Sequence, residues 1–167
     1  MDINSSLQSI KNKAVKYWPL ICLILIAALA GLALKEHSSK FKAGWMHYFM
    51  GFFLCQFAML KLFHPSGFAD GFQKYDLIAS KSRIYAYLYP LMELALGLGY
   101  LANFAPVLVY LSTIIILGIG AVGVIKALIQ GLDLRCACMG TVLDVPLSTV
   151  TLTEDIGMVV MAFIMLM

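Results

Sequence analysis

Apolar residues run along this chain in long blocks rather than alternating with polar ones. Five stretches stand out: Trp18 to Leu34, Gly44 to Phe63, Tyr85 to Leu101, Pro106 to Ile129, and Leu147 to Met167. A helix needs ~20 predominantly apolar residues to cross a hydrocarbon core of ~30 Å. The pattern therefore predicts five membrane-crossing helices joined by short polar connections. Lys16 and Lys35 bracket the first. The turn Asn103-Phe104-Ala105-Pro106 is so short that the third and fourth must be antiparallel neighbours. Gly118, Gly120 and Gly123 in the fourth would let another helix approach closely.

One segment breaks the pattern. Residues 64–84 are too polar to cross, yet Phe68, Phe72, Tyr75 and Ile78 or Ala79 recur at helical spacing. This suits a helix lying on the surface or folded under the bundle. Trp45, His47 and Tyr48, at the start of the second stretch, suit a membrane interface.

Composition supports this reading. The 167 residues are 62% hydrophobic and only 13% charged, with a mean hydropathy of +0.89. A soluble domain carries about a quarter charged residues. The expected fold is all-α, a polytopic transmembrane bundle with a four-helix core and one additional N-terminal helix. The expected division is a cytoplasmic segment over 1–17, a crossing helix over 18–34 and a membrane domain over 44–167. The first helix is long enough to be kept as a span rather than cleaved as a signal. The net charge of +3 is spread over the flanks without a dense basic patch, so nucleic acid is not an expected partner.

Charge placement gives orientation. Lys11, Lys13, Lys16, Lys61, Lys74, Lys81, Arg83, Lys126 and Arg135 would share one side, and Lys35, Lys40 and Lys42 the other. Lys and Arg collect on the cytoplasmic side. The expectation is a bacterial inner-membrane protein with a cytoplasmic N-terminus. The loop after the fourth span would also face inwards.

That loop carries the most distinctive chemistry, Arg135-Cys136-Ala137-Cys138. Two thiols one residue apart can hold a soft ion such as Cu(I), Hg(II) or Zn(II). They can also close a small, strained disulfide suited to exchange rather than to bracing. Arg135 would stabilise a thiolate in either case. Two buried packing cysteines are the bland alternative, and Cys22 and Cys55, both inside spans, are read that way.

Three acids fall within apolar stretches: Glu93 in the third span, and Glu154 and Asp155 in the last. Acids at membrane depth are costly and face the bundle interior. They could form a polar site near the thiols, extended by Ser148, Thr149, Thr151 and Thr153, or pair with Lys61, Lys126 or Arg83 to fix the packing. Met46 and Met50, and Met158, Met161 and Met165, share helical faces, but methionine is a common apolar filler. His37, His47 and His64 show no ligand spacing, and no phosphate loop or dinucleotide fingerprint is present.

The run WMHYFMGFFLCQFAMLKLF, the segment GFADGFQKYDLIASKSRIYAYLYPLMELALGLGYL and the C-terminal CACMGTVLDVPLSTVTLTEDIGMVVMAFIML together resemble the MauE/DoxX family of small membrane proteins. They look closest to its branch associated with heavy-metal-binding domains. The resemblance spans about residues 44–167. It implies a four-helix membrane core and a link to methylamine utilisation, where such proteins support disulfide formation and maturation of a partner enzyme. By the matching motif, Cys136 and Cys138 would be the functional thiols, with Tyr75, Asp76 and Glu93 as family-like polar positions. The resemblance implies thiol-disulfide redox chemistry with a soluble redox partner or a quinone. The competing expectation is transport or acceptance of a soft metal ion at the same two thiols, delivered by a soluble metal-binding protein.

Overall fold

The structure, a computed structural model, describes residues 3–37, 44–130 and 150–167. They form six helices and no strand among the described residues: α1 (Ile3–His37), α2 (Trp45–Phe63), α3 (Pro65–Phe72), α4 (Arg83–Leu101), α5 (Pro106–Ile129) and α6 (Val150–Leu166). Four carry segments long and apolar enough to cross a membrane, namely Trp18–Glu36, Trp45–Phe63, Arg83–Leu101 and Pro106–Ile129. Leu25, Leu29, Leu88, Leu108 and Ile115 point outwards on these helices. Met59 and Phe63 do so on α2, and outward apolar side chains on every long helix are what a hydrocarbon solvent requires. The molecule is an all-α polytopic membrane protein.

The expected blocks match the helices closely, with two extensions. The first is longer: α1 has 35 residues and rises ~52 Å, more than the hydrocarbon core needs. The α4 helix begins at Arg83, where the Ser82 side chain accepts from the Tyr85 amide and caps it. The last expected span corresponds to α6, described from Val150 with 17 residues.

Packing divides into two groups. The α2 helix lies along α4 and α1, while α5 lies along α6. The closest approach in the first group is at Gly97, where a Cβ would lie 2.7 Å from Cys55 Sγ and 2.9 Å from the Cys55 amide nitrogen. Gly31 brings α1 against α2, its would-be Cβ 2.9 Å from the Phe49 nitrogen. Residues 102–105 reverse the chain between α4 and α5, with Asn103 and Ala105 at φ 51° and 41°.

Residues 64–82 fold under the bundle, but only α3 is helical; turns follow, and α4 takes up Arg83 and Ile84. Phe68, Phe72, Tyr75 and Ala79 are the buried face, and Ile78 is exposed. The cause of the break is Asp76. Its Oδ1 accepts from the amides of Ile78 at 2.9 Å and Ala79 at 2.7 Å, a side-chain-closed turn that competes with helix. This turn packs on Gly123 of α5, where a Cβ would meet the Tyr75 carbonyl oxygen at 2.8 Å. Of the three α5 glycines, Gly118 faces open space and Gly123 receives a turn rather than a helix. Asp76 is 1% exposed, so Asp76→Ala strands the buried Ala79 amide and the part-buried Ile78 amide. The expected loss is about 2 kcal/mol of stability. Asp76→Asn keeps the Oδ1 acceptor and should lose much less, read by unfolding in lipid bicelles.

His47 and Tyr48, read as suited to a membrane interface, face the interior of the bundle. Both are buried, at 1% and 4% exposure. His47 Nδ1 lies 2.8 Å from the Tyr110 hydroxyl, and its ring meets Tyr100 and Tyr110 edge-on. Trp45 is only part-buried, its indole N–H donating to the Ala28 carbonyl of α1 at 3.0 Å.

Candidate functional site

The polar core is built where α2 and α4 meet α6. Lys61 stands in the last turn of α2, inside an otherwise apolar helix. Glu93 stands mid-helix on α4, one turn beyond Tyr89. A helix places residues i and i+4 on the same face, so Tyr89 and Glu93 look the same way. Pro90, buried between them, has no N–H to give the Ala86 carbonyl and loosens the helix just before the acid.

Lys61 Nζ donates to Glu93 Oε2 in an ion pair whose two side chains are each 5% exposed. The ammonium also sits 5.1 Å from the ring centre of Tyr89 and 5.6 Å from that of Phe68. Two π faces and a carboxylate replace the water that a lysine would otherwise demand. Of the three cations considered for Glu93, Lys61 is the one that pairs with it. Arg83 instead meets Asp70 at 2.8 Å on the surface, with both side chains more than half exposed. Such a pair adds at most about 1 kcal/mol.

Glu154 and Asp155, on the second turn of α6, complete the arrangement. With Lys61 and Glu93 they line a cavity of about 20 Å³, walled by Phe53, Leu54, Phe57, Leu117 and Met158. That space holds about one water. Gly120 of α5 leaves room beside it: a Cβ there would lie 3.6 Å from the Tyr89 hydroxyl and 3.8 Å from Asp155 Oδ2. Residues from four helices, α2, α4, α5 and α6, therefore converge on one polar point in an apolar bundle.

The structure brings Glu93, Glu154 and Asp155 together, and it separates them from Tyr75 and Asp76. The latter two lie at a different opening, a cavity of about 290 Å³ lined also by Lys74, Lys81, Lys126 and Gln130. Cys136, Cys138 and Arg135 lie outside the described residues, as do Ser148, Thr149 and the side chains of Thr151 and Thr153. Met158, Met161 and Met165 pack into or against the apolar core, as fillers do. Cys22 and Cys55 are half-buried free thiols.

Sequence reasoning assigned no role to Tyr89, and it treated Lys61 mainly as a flanking charge. The usable signal was Tyr89 four residues before Glu93 on a span, together with a lysine inside an apolar helix. The His47, Tyr100 and Tyr110 group was missed because each residue alone reads as interfacial.

These features define a small helical membrane protein with a charged, nearly dry core. The family model of the methylamine utilisation protein MauE matches residues 39–167, and the chain belongs to that family. No curated protein and no solved structure matches it.

Proposed function

We propose that this chain is a membrane thiol-disulfide protein of the MauE type, with Cys136 and Cys138 as the exchanging pair. The observation that carries the reading is the extent of the family match, which begins before α2 and runs through the cysteine loop to the C-terminus. In one direction, a partner's dithiol attacks the Cys136–Cys138 disulfide through a mixed disulfide. The partner leaves as a disulfide, and both cysteines of this chain are left as thiols, so electrons and protons balance within the exchange. The reverse direction opens a partner disulfide. A bridge between residues one apart closes a small, strained ring and is easily reduced, which favours a transfer role over a structural one. Arg135 stabilises the attacking thiolate.

A second reading, acceptance of a soft metal ion, has one observation in its favour. The Lys and Arg bias of the flanks favours a cytoplasmic side for the loop, and thiols there are kept reduced.

The test is impermeant maleimide labelling in intact cells and inverted vesicles, with and without reductant. The redox reading expects labelling of Cys136 and Cys138 that requires prior reduction and vanishes in Cys136→Ser/Cys138→Ser. Labelling without reductant, blocked by Cu(I) or Hg(II), supports metal handling and ends the redox reading. Labelling that neither reductant nor metal alters ends both.

A further inference from the structure

We propose that the cavity beside the Asp76 turn is a binding site for the phosphate headgroup of an anionic phospholipid, held by Lys74, Lys81 and Lys126. The cavity has a volume of about 290 Å³ and lies where the turn after α3 packs on the last two turns of α5. Pockets that hold small ligands begin at about 300 Å³, and a water takes only ~30 Å³. The space is therefore sized for a headgroup rather than for a single water or ion. Its three lysines, with Ser80 and Gln130, are all exposed at the mouth. Among the described residues, none of the three ammoniums is in an ion pair.

Two elements hold these lysines in place. The turn is closed at Asp76 Oδ1, and the Lys81 amide donates to the Ile78 carbonyl at 3.0 Å. The Ser80 hydroxyl donates to the Leu77 carbonyl, also at 3.0 Å. Gly123 seats the turn on α5 through the Tyr75 carbonyl, and Lys126 stands three residues further along the same helical face. The acid among the described lining residues, Asp76, does not meet an incoming anion. Its side chain is 1% exposed and its Oδ2 is wholly buried, so it stands behind the wall. The carbonyl end of a helix disfavours an anion weakly, and the ammonium of Lys126 in the last turn of α5 offsets this.

The surroundings select a lipid over a free phosphate. Lys126 and Gln130 lie at the end of a membrane-crossing helix. Ile115, Val122, Ile125 and Ile129 are exposed along that helix, and Lys126 and Gln130 directly follow the last two. Leu77, in the cavity wall, is also exposed. A molecule with acyl chains can lay them on α5 while its phosphate sits among the lysines. Basic pockets between helices at the membrane edge bind phosphate headgroups in this way. Three ammoniums at the mouth repel a metal cation. The assignment stands whether or not Cys136 and Cys138 exchange thiol for disulfide.

Native mass spectrometry of the full chain, released from detergent micelles, tests this. The probes are phosphatidylglycerol, phosphatidylcholine and soluble glycerol 3-phosphate. Wild type should hold one phosphatidylglycerol, tighter than either of the others. Each of Lys74→Gln, Lys81→Gln and Lys126→Gln should weaken it about fivefold, and the triple variant on the order of a hundredfold. Ser80→Trp keeps every charge but fills the mouth, and should weaken binding about tenfold or more. The proposal is overturned if wild type does not prefer phosphatidylglycerol to phosphatidylcholine. Equal binding of glycerol 3-phosphate overturns it too, because the ligand is then a free phosphate. So does a triple variant, with helicity intact, that binds like wild type. Unchanged binding in Ser80→Trp would mean diffuse attraction to a basic surface, and no headgroup site. The wild-type comparison needs no substitution, so it decides the matter even if a variant fails to fold.

Discussion

Replacing Lys61 by methionine is expected to destabilise the bundle by about 3–5 kcal/mol. The change is nearly isosteric, so little of this comes from packing. Lys61 is 4% exposed and Glu93 is 4% exposed, and their ion pair is the main compensation each has for leaving water. Removing the ammonium leaves a carboxylate buried among Phe57, Phe68 and Tyr89. Glu93 must then take up a proton or draw water into the bundle. The double substitution Lys61→Met/Glu93→Met removes both charges and should recover at least half of the loss, since a buried ion pair is often no more stabilising than apolar residues of similar volume. Unfolding in bicelles, followed by helicity, reads both. If the double variant stays as unstable as Lys61→Met, the ammonium is chiefly balancing Glu154 and Asp155 rather than Glu93.

This expectation rests on a tertiary fact the sequence only half contained. That Glu93 sits at membrane depth follows from counting along an apolar block. That it pairs with Lys61, 32 positions earlier, depends on how α2 lies along α4. Lys61 occurs next to the polar segment after α2, where lysine is ordinary, so its burial carries no local signature. The same holds for His47 and Tyr48: aromatic residues at the start of a span are common at interfaces, and only the packing of α2 against α4 and α5 takes them inside. Helix existence is legible because hydrocarbon imposes length and apolarity on each span independently of its neighbours. Partner choice between spans is not imposed by hydrocarbon, because one lipid-soluble surface is much like another; it is decided by small residues and polar contacts. Residues 64–84 show the same division. Their apolar period is real, and Phe68, Phe72, Tyr75 and Ala79 are buried as it requires. The helix nevertheless stops at Phe72, because Asp76 offers two amides a side-chain acceptor.

Gly97 is where this choice of partner is most exposed to test, and Gly97→Leu is expected to cost about 3 kcal/mol or more. Any Cβ at this position meets Cys55 Sγ at 2.7 Å, the Cys55 amide nitrogen at 2.9 Å and the Gly51 carbonyl oxygen at 3.0 Å. Two of these three atoms belong to the α2 backbone and cannot rotate away. Gly97→Ala should therefore also destabilise, by about 1–2 kcal/mol, even though alanine gains nearly 1 kcal/mol over glycine in helix propensity. Cys55→Ala in the same chain removes the sulfur contact but neither backbone contact, so it should restore only part of the loss. Full restoration would mean that the thiol alone sets the spacing of α2 and α4. The consequence reaches the polar seam, because Glu93 lies one turn from Gly97 on the face that α4 turns to α2. Forcing the helices apart there lengthens the Lys61–Glu93 contact and admits water. Gly97→Leu should accordingly make the lysine at position 61 reactive to an amine-directed reagent that does not modify it in the wild-type bundle, with mass spectrometry of the labelled peptide as the measure.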